Sequence, residues 1–228
     1  MHLRIENSIS FPSPEADISL IEVLGRDGEL TVDNHRLKGV SFSVPIKLKL
    51  PRNIDVNTQA TRISEWLKND IGWHPLRFSG SPEYEYIAIC YEKFDIAETL
   101  KNYGRTVINF RLKPFKRRGG SRAIKVENGM ILVNPEKRTS KPLINIEGNG
   151  DMVIQNNNKD WLIINNVENY ITIDSELMSI YKDDTNQFDK MNGELVPLFP
   201  LLKSGDNAIT WTGNITNREI EPRWEAVT

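Results

Sequence analysis

The side chains able to do chemistry are few and scattered. His2, His35 and His74 lie far apart, and none has a second histidine or an acidic residue at ligand spacing on an expected element. A zinc-type centre is therefore not expected. Cys90 is the only cysteine, which rules out an internal disulfide and any cysteine-based cluster. It stands in Tyr-Ile-Ala-Ile-Cys-Tyr, a strand-like run with no turn or helix start to stabilise a thiolate, and reads as a small core residue. The acidic segment from Asp183 to Asp189 fails as an EF-hand, because Asp189 stands sixth from Asp184, where the tight loop requires glycine. A solvated turn is the better reading of that segment, and an irregular calcium site is the alternative. Asp174 and Glu176 are close enough in sequence to bring a glycosidase to mind, but two nearby acids are too common to carry that chemistry. No Gly-x-Ser-x-Gly elbow is present. The chain is expected not to be an enzyme and to need no cofactor.

Binding motifs are equally sparse. Gly25-Arg26-Asp27-Gly28 lacks the glycine spacing and the Gly-Lys-Ser/Thr end of a phosphate loop, and its order is not that of an adhesion tripeptide. Its plain reading is a hairpin turn, in which Asp-Gly supplies the positive φ that a two-residue primed turn demands. The run from Lys113 to Arg122 carries five basic residues without interleaved stacking aromatics, which fits a solvated linker better than a nucleic-acid groove. With a net charge of −2 and 26% charged residues, no global field draws the chain to nucleic acid or an anionic membrane. No apolar run approaches the length of a membrane span, and the first residues do not read as a signal peptide.

The elements that would position these residues are mostly strands. Leu20–Leu24 and Glu29–Asp33 flank the glycine turn as a hairpin. From Val40 to Leu50 every even position is apolar, so one face is buried, and Pro45 predicts an edge or a bulge. The period changes between Asn57 and Asn69, where Ala60, Ile63, Trp66 and Leu67 form one stripe of the only substantial helix. Strands follow at Tyr84–Tyr91 and Arg105–Lys113. The pattern then stops, and a linker to about Glu127 would end an N-terminal domain, 1–127. Beyond it, short runs (Met130–Val133, Leu143–Ile146, Met152–Ile154, Trp161–Ile164, Tyr170–Ile173, Ser179–Tyr181, Asn207–Trp211, Arg218–Ile220) are separated by Gly, Asn and Asp. That spacing predicts an antiparallel sandwich over 128–228, with a long turn region at 183–193 and Gly213 breaking the last strand.

The order of several motifs resembles the distal tail proteins of long-tailed bacteriophages and prophages. They are Gly25-Arg26-Asp27-Gly28 after Ile21-Glu22-Val23, the long alternating strand, a helix with Arg62 and Leu67, and Tyr103-Gly-Arg105. Ser140-Lys-Pro-Leu143, Ile173–Glu176, Asn192-Gly193, Pro197, Gly205–Ile209 and Pro222-Arg223-Trp224 complete the series. Leu24 and Ser204 depart from the pattern at turns, each standing where the family often has proline. The resemblance implies a mainly β fold: an N-terminal β-sandwich with one helix and a projecting hairpin, then a galectin-like sandwich. It also implies a structural protein of the virion tail tip, assembled in the bacterial host. Its copies would form a hexameric ring through which DNA passes, partnered by the tail tube protein and a tail-associated fibre or lysin protein. Gly25, Arg26, Asp27 and Gly28 would then be an inter-subunit hairpin. The competing expectation is a carbohydrate-binding module, in which Trp161, Trp211 and Trp224 beside Asn-rich loops would stack on sugar rings.

Overall fold

In the computed structural model, residues 3–6, 9–50, 55–100, 103–119, 122–193 and 199–228 are described. His2, Pro197, Gly120 and Ser121 lie outside them. The chain divides into two compact units, the first Met1–Lys116 with Val227–Thr228 and the second Arg117–Ala226. Both are built from antiparallel strands.

In the first unit the strands are β1 (Leu3–Ile5), β2 (Ala16–Glu22), β3 (Glu29–Leu37), β4 (Val40–Lys49), β5 (His74–Arg77), β6 (Tyr84–Ile89), β7 (Ala97–Leu100) and β8 (Tyr103–Arg118), with helix α1 at Val56–Lys68. The order β1-β4-β8-β6-β5 makes one sheet, with β7 also on β8. Strand β4 buries Val40, Phe42, Val44, Ile46 and Leu48 against Ile108 and Leu112 of β8, as its alternation predicts. Pro45 is accommodated at the end of the β1 pairing, where Glu6 N donates to its carbonyl at 3.0 Å and the return bond that a proline cannot donate is the one given up. Helix α1 is started by Asp55, whose carboxylate accepts from Thr58 N at 2.8 Å and Thr58 Oγ1 at 2.9 Å. It buries Val56, Gln59 and Ile63, while Ala60 and Leu67 are half-buried. Trp66, expected on the inward stripe, is instead 57% exposed.

The second unit holds β9 (Ile124–Lys125), β10 (Met130–Asn134), β11 (Leu143–Asn156), β12 (Lys159–Val167), β13 (Tyr170–Asp174), β14 (Ser179–Lys182), β15 (Thr185–Asn186) and β16 (Gly205–Glu221), and β17 (Glu225–Val227) closes the chain. Where the sequence predicts four short strands, β11 and β16 are two long ones that bend. The first half of β11 pairs with β13 and with Asn217–Glu221 of β16, and its second half pairs with β12 and with Ile209–Thr212. Ile144 and Ile146 from one half share a single core with Met152 and Ile154 from the other, so both strands serve both layers of a sandwich. Gly213 does not break the run. At φ +102° it lies at the bend, where a Cβ would come within 2.4 Å of Asp151 O, and a Cβ on Gly148 would come within 2.1 Å of Asn214 O. Only glycine lets two backbones cross so closely.

Two further expectations change. Lys113 to Arg118 is not a tether but the continuation of β8. The basic run satisfies itself within each unit: Lys116 Nζ lies 4.6 Å from the Tyr84 ring centre, Arg118 pairs with Glu136 at 2.8 Å, and Arg117 pairs with Glu176. Nor is 183–193 one long turn. Tyr181 pairs with Asn186 and Lys182 with Thr185, leaving Asp183-Asp184 as a two-residue turn whose first residue has φ +50°. Tyr170 OH donates to the Asp183 carboxylate, which occupies that acid structurally.

Candidate functional site

The residues singled out at 25–28 cap the β2–β3 hairpin, a separate two-stranded sheet. Its strands pair from Ile18↔Asp33 to Glu22↔Glu29. The tip is a six-residue loop and not the two-residue turn that Asp-Gly predicts. Arg26 N donates to Val23 O at 3.1 Å, and Gly25 and Gly28 turn the chain at φ +82° and +78°. At the root, a register shift lets His35 adopt φ +54° while its N–H donates to Asp33 Oδ1 at 2.7 Å. Arg36 pairs with Asp17 and Lys38 with Glu15 at 3.2 Å. The Arg36 hydrogen bond holds the Asp17 carboxyl below the usual range.

Every residue from 18 to 36 is exposed. Cross-strand pairing puts Ile21 with Leu30 and Ser19 with Val32 on one face, and Ile18 with Asp33 and Leu20 with Thr31 on the other. Five large apolar side chains (Ile18, Leu20, Ile21, Leu30, Val32) thus face water on a two-stranded ribbon, with Val23 and a fully exposed Leu24 at its end. A two-stranded hairpin alone is marginal in water, and an exposed apolar patch of this kind marks an interaction surface. The cross-strand pair Glu22↔Glu29 sets like charges opposite one another, which disfavours the ribbon further until something covers it.

The C-terminal motifs meet in space as structural clasps. Asp174 and Arg223, from Ile173–Glu176 and Pro222-Arg223-Trp224, form a bidentate pair at 2.9 and 3.1 Å. Asp174 also accepts from the N–H groups of Glu176 and Leu177 at 2.9 and 3.0 Å. Burial works against its charge, but these donors win and hold its carboxyl below the usual range. From Gly205–Ile209, Asn207 is fully buried and donates to the carbonyls of Lys203 and Gly205, each at 2.9 Å, while accepting from Asn156 Nδ2 at 2.9 Å. In the sequence Asn207 stands out only as the asparagine of the Gly-x-Asn-x-Ile pattern at Gly205–Ile209, with no physical role attached. Of the tryptophans considered for sugar stacking, Trp161 and Trp224 are buried in the core, and Trp211 lies 3.6 Å under the Arg218 guanidinium. His35 is on the hairpin and His74 on β5, where Nε2 lies 3.0 Å from Asp70 O. Among the described residues, no three His, Cys, Asp or Glu side chains are grouped to hold a metal ion.

Fold and surface together define a two-unit, mainly β protein that, among the described residues, holds out an apolar arm. No protein-family model and no curated protein matches the chain. Among solved structures, the chain is similar to the Dit protein (gp 19.1) of phage SPP1, a hub of the adsorption apparatus in phages that infect Gram-positive bacteria. The match has a TM-score of 0.65 at 12% identity and covers 96% of this chain and 89% of that one. The chain therefore has the fold of a phage distal tail protein. Two structures of the phage p2 baseplate in its activated conformation, with calcium and with strontium, match over the same shares at 9% identity, with TM-scores of 0.47 and 0.48.

Proposed function

We propose that the protein is a structural component of a bacteriophage tail tip, forming a six-membered ring that joins the tail tube to the fibre or lysin and adsorption parts. The observation that carries this reading is the β2–β3 arm. A chain with the fold of a distal tail protein holds out an apolar ribbon that a lone subunit leaves in water. A closed ring coaxial with a tube repeats one heterologous contact until the rotation closes, and a projecting arm on every copy suits that geometry. The first unit supplies the ring contacts, and Gly25, Arg26, Asp27 and Gly28 shape the arm's end. The partners are further copies of the chain, the tube protein and the fibre or lysin protein.

Native mass spectrometry over a rising protein concentration tests the ring. Hexamers, or monomers passing to hexamers without a stable dimer, are expected. A two-fold dimer that persists at high concentration, or a monomer throughout, would overturn the ring.

A further inference from the structure

The first unit also carries a cavity of about 370 Å³ beside the C-terminal end of α1, within the size range of small-molecule sites. Its floor is apolar, made by Leu67 of α1, Leu76 of β5, Ala88 of β6 and Phe110 of β8, with the core behind them. Its rim sets an aromatic face beside polar groups. Trp66 lines it while 57% exposed, in place of the core position its helical spacing predicts, and the Asp70 and His74 side chains are 79% and 53% exposed. His74 Nε2 lies 3.0 Å from Asp70 O, which can only accept, so that nitrogen carries the hydrogen and the neutral ring keeps Nδ1 as an acceptor. Gly72 stands between the two: a Cβ there would lie 3.4 Å from His74 Nε2 and 3.9 Å from Asp70 Oδ1, so a longer side chain would fill the gap.

We infer that the cavity binds a single pyranose ring, its C–H face against Trp66 and its hydroxyls donating to the Asp70 carboxylate and His74 Nδ1. The ligand must be apolar on one face and rich in O–H donors at its edge, because the site offers an indole, an apolar floor and acceptors. The negative face of the indole attracts polarised C–H bonds, and a carboxylate accepts from two neighbouring hydroxyls at once. An anion is excluded by charge, since no lysine or arginine is among the described residues lining the cavity. A quaternary ammonium ion needs a cage of aromatic faces, and among the same residues only Trp66 and Phe110 are aromatic. Trp161, Trp211 and Trp224, buried or covered in the second unit, take no part, and no second copy of the chain is needed.

Saturation-transfer NMR on the full-length chain tests this with three probes, the methyl pyranosides of glucose, galactose and N-acetylglucosamine. At least one should bind with a Kd on the order of 1 mM, the affinity that a ligand of about a dozen non-hydrogen atoms reaches at ordinary efficiency. Trp66→Ala and Asp70→Asn should each weaken that binding about tenfold, the equivalent of one stacking contact or one good hydrogen bond, and Gly72→Val should block it. Because Trp66 and Asp70 are exposed, melting curves of the first two variants should match the wild type. No binding by any of the three probes, or binding that Trp66→Ala leaves unchanged, would overturn the inference. So would cyclohexanol, also a six-membered ring, binding as tightly and ignoring Asp70→Asn, which would make the cavity a seat for an apolar side chain. Hexamer formation is read separately, so sugar binding and the ring stand or fall apart.

Discussion

Alanine at Gly213 should be among the most damaging single substitutions in the second unit. At φ +102° an added Cβ is strained by about 1–2 kcal/mol from the backbone conformation alone. The same Cβ would stand 2.4 Å from Asp151 O and 3.1 Å from Met152 Cα. Both are β11 backbone atoms, so relief requires the strand itself to retreat, an overpacking cost of about 1–3 kcal/mol. Together these predict a loss of about 2–5 kcal/mol. Gly150 is the matched control: its φ is +86°, yet a Cβ there meets nothing within 4 Å, so Gly150→Ala should lose only about 1–2 kcal/mol. The difference isolates the close strand crossing. Urea unfolding would measure it, read by the fluorescence of Trp161, Trp211 and Trp224, all in the second unit, in a chain carrying Trp66→Phe and Trp73→Phe. Equal losses for the two alanines, or a Gly213→Ala loss below about 1 kcal/mol, would refute the idea that the bend needs glycine for space.

Four other substitutions probe the buried polar groups of the second unit. Arg223→Ala leaves the Asp174 carboxylate, whose side chain is 6% exposed, without its bidentate partner and should destabilise by about 3–5 kcal/mol in denaturant titration. Because Asp174 has a folded pKa below its unfolded value of 3.8, its stabilisation is present above that value and is lost as pH falls through the folded one. Asp174→Asn should therefore flatten the stability profile in acid. Glu225 behaves oppositely. Burial lifts its folded pKa above 4.5 despite Arg138 at 3.5 Å, so its ionised form is disfavoured at neutral pH and the penalty disappears in acid. Glu225→Gln should match or exceed wild-type stability at pH 7 and converge with it below the unfolded pKa, as a pH series of melting curves would show. Asn207→Ala should cost about 1–3 kcal/mol by stranding buried carbonyls, and the wild-type hydrogen-exchange protection near Lys203 and Gly205 should fall with it.

What could be read from the residues follows the range of the interactions involved. The alternation in β4 is a local signal of burial, and it held from Val40 to Leu48. The helix was legible from its period, but Trp66 was not, because a stripe of spacing shows which side chains share a face and not where the neighbouring sheet ends. Gly213 reads as a strand break in the sequence, since a glycine that ends a strand and one that lets two strands cross look alike until the partner is known. Lys113 to Arg118 resembles a linker in sequence for a related reason. Charges in a strand look like a linker when their partners, Glu136, Glu176 and Tyr84, lie far off in the sequence. The hairpin's position was legible in its glycines, but its six-residue loop and wholly exposed apolar faces were not, because solvent exposure is a property of what fails to pack beside it.

The last two residues return to the first unit, where Thr228 N donates to Pro114 O at 3.0 Å. Within the second unit, Arg118 N donates to Trp224 O at 3.0 Å, so the chain enters and leaves that unit at neighbouring points. The second unit thus lies between two crossings of the chain, Lys116 to Arg117 and Ala226 to Val227, the second of which returns only Val227 and Thr228 to the first unit. A single proteolytic nick in β8 at the first crossing therefore leaves Val227 and Thr228 on the C-terminal fragment, which then keeps its hold on the first unit through non-covalent bonds such as Thr228 N to Pro114 O. The same arrangement makes the inserted module exchangeable, because a replacement with its own ends close together can enter at Lys116 and leave at Val227 without lengthening the chain of the first unit.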